Sequence, residues 1–201
     1  RSLVADLRGA GRSDAPPGPY AVSELVDDLT TVLSEAGVRS AHVVGAGLGG
    51  LVALAAARET ARVDSLVLVG TAARGADLDL EPLRGAPDDR DALETSLSAA
   101  LSDAFVDEYP DAIEQMVEWR ADEDADRAAW DAQAAAVREF DVSDRLYEIT
   151  EPALVLHGRD DAVWPVERGE RLVEGLPRGE FRPVDDAGHL VHVEASKRVN
   201  D

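Results

Sequence analysis

Cysteine is missing from this 201-residue chain, which excludes disulfides, thiolate nucleophiles and zinc-thiolate sites. Lysine is nearly missing too. Lys197 stands alone, and Lys plus Arg number 20 against 41 Asp plus Glu, for a formal net charge of -21. A field of that sign repels nucleic acid and anionic membrane surfaces before contact, so neither is expected as a partner. No run of about 18 apolar residues occurs, which removes the sequence signal of a spanning helix. The opening RSLVADLRG has neither the charged n-region nor the long apolar h-region of a secretion signal, and a cytoplasmic location is expected. No histidine stands at metal-ligand spacing, so no metal is expected; no cofactor is expected either.

The carboxylates are spread along the whole chain rather than gathered in a tail, as in proteins of salt-loving microbes. At molar salt the Debye length falls to about 3 Å and screens their mutual repulsion. The melting temperature is therefore expected to rise from about 0.1 to about 3 M KCl, and a flat or falling curve would refute this halophilic reading.

What is present reads as one α/β domain. Residues 2–5 are apolar and run into the glycine-rich residues 7–13, predicting a buried strand and a turn. Leu25, Leu29, Val32 and Leu33 recur at helical spacing over residues 23–36, with Ser23 as the expected N-cap and Gly37 as the stop. A strand (42–44), a glycine turn, a helix (48–59) and a strand (65–69) follow. Strands at 152–156 and 180–184, with a helix at 166–174 between them, complete the alternation of a parallel sheet. Residues 74–140 are acidic, alanine-rich and helical in pattern, predicting an inserted helical cap between core segments 1–73 and 141–201. Within it Ile113, Met116, Val117 and Trp130 are expected to face a core.

The stretch AHVVGAGLGGLVALAAA, residues 41–57, fits two different turns. Gly45, Gly47 and Gly50 satisfy the dinucleotide pattern G-x-G-x-x-G; Gly45 and Gly49 satisfy the nucleophile elbow G-x-S-x-G, with Gly47 where serine should stand. A dinucleotide fold needs a carboxylate about 20 positions on, at the end of the next strand. That position falls in SLVLVGTAA, which holds none. Dinucleotide binding is kept as an alternative, and a yellow colour or a nicotinamide-dependent melting shift would favour it.

The elbow has company. DLRGAGRSD (6–14), the elbow, FDVSDRLYEITEPALVLHGRDDAVWP (140–165) and DDAGHLVHVE (185–194) occur in an order that resembles the α/β-hydrolase fold superfamily, most closely its esterase and 3-oxoadipate enol-lactonase branch. The resemblance implies a mostly parallel sheet with flanking helices and a small-molecule substrate or ligand. It implies Asp161 as the triad acid, His189 as the base, the Leu48 backbone N–H as one oxyanion donor, and Trp164 as a pocket-lining residue. The second oxyanion donor and the first strands of the sheet would lie upstream of Arg1, and both chain ends are expected to be cut. His42, His157 and His192 are read as structural or surface groups, and neither Ser13 nor Thr71 as a nucleophile. With Gly47 at the elbow, serine-type acyl transfer is not expected. The chain then reads as a pseudoenzyme or small-molecule binder, or alternatively as a hydrolase or lyase in which His189 and Asp161 serve as a general base.

Overall fold

The computed structural model describes residues 2–76 and 78–200; the two chain ends at which cuts are expected, Arg1 and Asp201, lie outside the described residues. Four parallel strands, β1 (Ala41–Ala46), β2 (Val63–Val69), β3 (Ala153–Gly158) and β4 (Gly179–Val184), form one sheet in the order β1-β2-β3-β4. Parallel neighbours need long crossovers. These are α2 (Leu48–Glu59) between β1 and β2, a long helical excursion between β2 and β3, and α7 (Glu167–Gly175) between β3 and β4. The excursion holds α3 (Arg90–Ala100), α4 (Asp103–Glu108), α5 (Pro110–Glu123) and α6 (Arg127–Glu139). Helix α1 (Val22–Glu35) precedes β1, and the short α8 (Val191–Glu194) and α9 (Ser196–Asn200) follow β4.

Strand side chains alternate between faces, and the two faces belong to different clusters. Leu66, Leu68 and Val155 join Leu25 of α1, Leu51 and Leu54 of α2 and Leu172 of α7 in the main core. Val69, Leu156 and Val184 point the other way, onto Val191 of α8 and Ala195. A third cluster, with Leu93, Leu97, Ile113 and Val117 at its centre and Met116 against it, ties α3 to α5. Helix α6 instead gives Ala132, Ala134, Ala136 and Val137 to the main core, with Trp130 packed alongside. None of these helices is long and apolar enough to cross a membrane.

Two local expectations fail for identifiable reasons. Residues 2–5 form no strand and lie exposed, Val4 at 93%. A strand needs a neighbour to pair its backbone, and among the described residues β1 pairs only with β2, leaving its outer edge open. The N-cap of α1 is Ala21, not Ser23. The Glu24 carboxylate accepts the Ala21 backbone N–H at 2.8 Å, so a reaching glutamate does at this helix start part of what a capping hydroxyl would do. Gly37 follows α1 at φ 69° and donates its N–H to Ser34 O, as a helix stop requires.

Candidate active site

Gly47 sits between β1 and α2 at φ 50°, ψ -120°, a region that side-chain-bearing residues enter only under strain. Three hydrogen bonds hold it there: its N–H donates to Val69 O at 3.0 Å, while its carbonyl accepts the Gly50 N–H at 3.0 Å and the Thr71 hydroxyl at 2.9 Å. Neighbouring glycines make the turn sharp. A Cβ on Gly45 would stand 2.3 Å from Gly49 O, and one on Gly50 would stand 2.5 Å from Thr71 Oγ1. At Gly47 itself a Cβ would have open space: beyond its chain neighbours, His189 Nε2 at 3.9 Å is the one heavy atom within 4 Å among the described residues. Leu48 opens α2, where first-turn N–H groups have no intrahelical acceptor and can serve an anionic oxygen.

Asp161 and His189 arrive from the loops after β3 and β4. Asp161 is 5% and His189 7% exposed. Asp161 Oδ1 accepts the backbone N–H groups of Val163 and Trp164 at 3.0 and 2.7 Å. Its Oδ2 accepts from His189 Nδ1 at 2.8 Å. An imidazole so held presents Nε2 as its free face, toward Gly47. Gly158, the last residue of β3, permits this meeting, because a Cβ there would lie 2.2 Å from both Ala187 O and Gly188 O.

Burial alone would raise the Asp161 carboxyl. Hydrogen bonds from His157, His189 and the Trp164 N–H outweigh it and hold the group at about 2, against about 3.9 in an unfolded chain. A depressed carboxyl contributes stability that is full above the unfolded value and fades as pH falls through the folded one. Wild type should therefore lose about 2 kcal/mol more than Asp161→Asn between about pH 5 and pH 2, measured by urea unfolding. Equal losses would show that Asp161 carries no such linkage.

Trp164, expected along a pocket, is 2% exposed, and its ring centroid lies 5.4 Å from that of His189. Two cavities lie away from this pair. One of about 260 Å³ is bounded by Arg90, Glu94, Val106, Ile113 and Val117; one of about 250 Å³ adjoins Leu7, Gly11, Trp119 and Asp124. His42 pairs with Ser65 on an exposed part of the sheet, and His192 is exposed on α8. Ser13 donates to Asp6 O, far in role from the imidazole, and Thr71 is spent on Gly47 O.

Two participants escape a reading by sequence. His157, in β3, is fully buried with Nε2 3.1 Å from the same Asp161 oxygen that meets His189. Its signal was present, a histidine four residues before the acid and one before the strand's end, where side chains reach the loop edge. Glu194 in α8 accepts the Gly188 N–H at 2.7 Å with one oxygen, and the Ser102 N–H at 3.1 Å and hydroxyl with the other. Leu190 N–H donates to Ala100 O at 3.0 Å beside it. The His189 loop is thus fastened to the corner between α3 and α4. No spacing rule within the sequence reveals a partner at Ser102.

The end of β2, where a dinucleotide site would hold a carboxylate, is occupied by the imidazole. A Cβ on Gly70 would lie 3.0 Å from His189 O and 3.5 Å from its Nδ1. Similarity to known proteins agrees with this geometry. The 2-hydroxy-6-oxononadienedioate/2-hydroxy-6-oxononatrienedioate hydrolase of Paraburkholderia phymatum is 33% identical, over 100% of this chain and 74% of its own length. The 3-oxoadipate enol-lactonase 2 of Acinetobacter baylyi is 27% identical, over 98% of this chain and 75% of its own. The solved esterase of Thermogutta terrifontis superposes with a TM-score of 0.79 at 28% identity, covering 96% of this chain and 74% of that one. The family model for the alpha/beta hydrolase fold matches residues 1–196, and the chain belongs to that family.

Proposed function

We propose that this α/β-hydrolase-fold chain binds a small ester, lactone or related carboxylated molecule without forming an acyl-enzyme. One observation carries the reading. The elbow backbone, the imidazole and its carboxylate are arranged for nucleophilic catalysis, and the residue aimed at His189 Nε2 is Gly47, which has no oxygen. Covalent catalysis needs a hydroxyl within reach of the base. Glycine at φ 50° avoids roughly 1–3 kcal/mol of backbone strain that a side-chain-bearing residue would store there. Helices α3 to α5 serve as a cap on the ligand side, with Trp164 as the wall behind the imidazole.

Mixing the protein with a p-nitrophenyl ester tests this. No stoichiometric burst of p-nitrophenol and no labelling by a fluorophosphonate are expected, since both report a covalent serine adduct. A burst of one equivalent would overturn the reading and show that another hydroxyl had taken the nucleophile's place.

The open face of His189 Nε2 supports a second reading, in which the imidazole activates water directly. General-base assistance supplies roughly 10²–10⁴-fold. Slow turnover without a burst, abolished by His189→Ala, would select this second reading over simple binding.

A further inference from the structure

We infer that His157 is a positioning residue of the Asp161 and His189 pair: a neutral Nε2–H donor that shares the Asp161 oxygen facing His189 and keeps that carboxylate ionised and aimed. This rests on the proposed site and concerns how its base is held. The geometry fixes the tautomer. His157 Nε2 lies 2.6 Å from the Trp164 carbonyl oxygen and 3.1 Å from Asp161 Oδ2. Both are acceptors, so Nε2 must carry the proton and divide it between them. The other ring nitrogen, Nδ1, is buried without a hydrogen-bond partner among the described residues, so a proton there would find no acceptor.

The ring is packed closely beside helix α7. A Cβ on Gly169 would stand 2.9 Å from His157 Nδ1 and 2.9 Å from the Phe181 ring of β4. The groups that face His157 are therefore Asp161 from the loop after β3, His189 beyond it, and the uncharged Gly169 and Phe181. Asp161 Oδ2 receives the His189 Nδ1–H and lies 3.1 Å from His157 Nε2, while Oδ1 receives two backbone N–H groups. Three hydrogen bonds and a fourth nitrogen at 3.1 Å surround one buried carboxylate and stabilise its charge. The share of Oδ2 taken by His157 is withdrawn from His189, so the hydrogen bond that orients the base is weaker than it would be in a two-member pair.

Nuclear magnetic resonance on labelled protein tests this without reference to activity, so its outcome is separable from the burst experiment. Long-range ¹H–¹⁵N spectra of wild type should show His157 protonated on Nε2 and bare on Nδ1; the opposite tautomer overturns the inference. His157→Leu removes the donor, whereas His157→Gln keeps an N–H near the Nε2 position. In His157→Leu the Asp161 carboxyl ¹³C titration should begin about one pH unit higher than in wild type, and the low-field His189 Nδ1–H resonance should move further downfield. In His157→Gln both should stay near their wild-type positions. Unchanged Asp161 titration and an unmoved His189 proton in His157→Leu would reduce His157 to a packing residue. Where the leucine variant does not fold, the wild-type tautomer and the glutamine variant decide the matter alone.

Discussion

Gly47→Ser should lower the unfolding free energy by about 1–3 kcal/mol and should turn a protein inert to fluorophosphonates into one that is labelled. The two effects have separate causes. The stability cost comes from φ 50° at position 47, which glycine accepts freely and serine does not. Steric collision contributes nothing, because beyond its chain neighbours the new Cβ meets no atom among the described residues closer than His189 Nε2 at 3.9 Å. That same distance places the hydroxyl where the imidazole can take its proton. Labelling should reach one equivalent, and should vanish in the Gly47→Ser/His189→Ala double variant. Unchanged or increased stability together with no labelling would mean that Gly47 does not occupy a nucleophile elbow.

Gly158→Ala should destabilise the fold by about 3 kcal/mol, at the upper end of overpacking costs. The added methyl would stand 2.2 Å from two backbone carbonyl oxygens, those of Ala187 and Gly188. Neither can swing aside as a side chain would, so the whole loop bearing His189 must withdraw. Loss of the low-field Asp161 to His189 proton signal should accompany the drop measured in urea. Gly49→Ala is the control. A Cβ at Gly49, in α2, meets nothing within 4 Å beyond its own helix backbone among the described residues, so this change should be neutral or stabilise by up to about 1 kcal/mol. Similar losses in both variants would refute the close-approach explanation.

The sequence carried most of the sheet and the helices flanking it, because periodicity survives translation into contacts. Helix α2 spans the stretch from Leu48 to Glu59 that the alanine-rich pattern marks, and β2 and β3 follow their apolar runs. Residues 2–5 show the limit. Their pattern describes a strand, but strand formation is a property of a pair, and no partner stands beside them among the described residues. The polar Ser23 misled for a related reason, since a cap depends on which side chain reaches the open N–H, and here Glu24 does. In the site, Asp161 and His189 were legible from motif order, and the structure brings them within 2.8 Å. His157 was not, because a buried histidine in an apolar strand reads as packing until its nitrogen is seen beside an acid. Glu194 depends on a contact across 92 positions to Ser102, which local spacing cannot encode.

The Glu194 carboxylate also gives the molecule a mechanical property. One side chain pins the Gly188 amide to the Ser102 amide and hydroxyl, and the Leu190 to Ala100 bond runs alongside as a second strut. A displacement of the corner between α3 and α4 would therefore load the segment between Gly188 and Leu190, whose middle residue is His189. The segment bearing the imidazole and the corner between α3 and α4 are thus tied at two points, by one carboxylate and by one backbone bond.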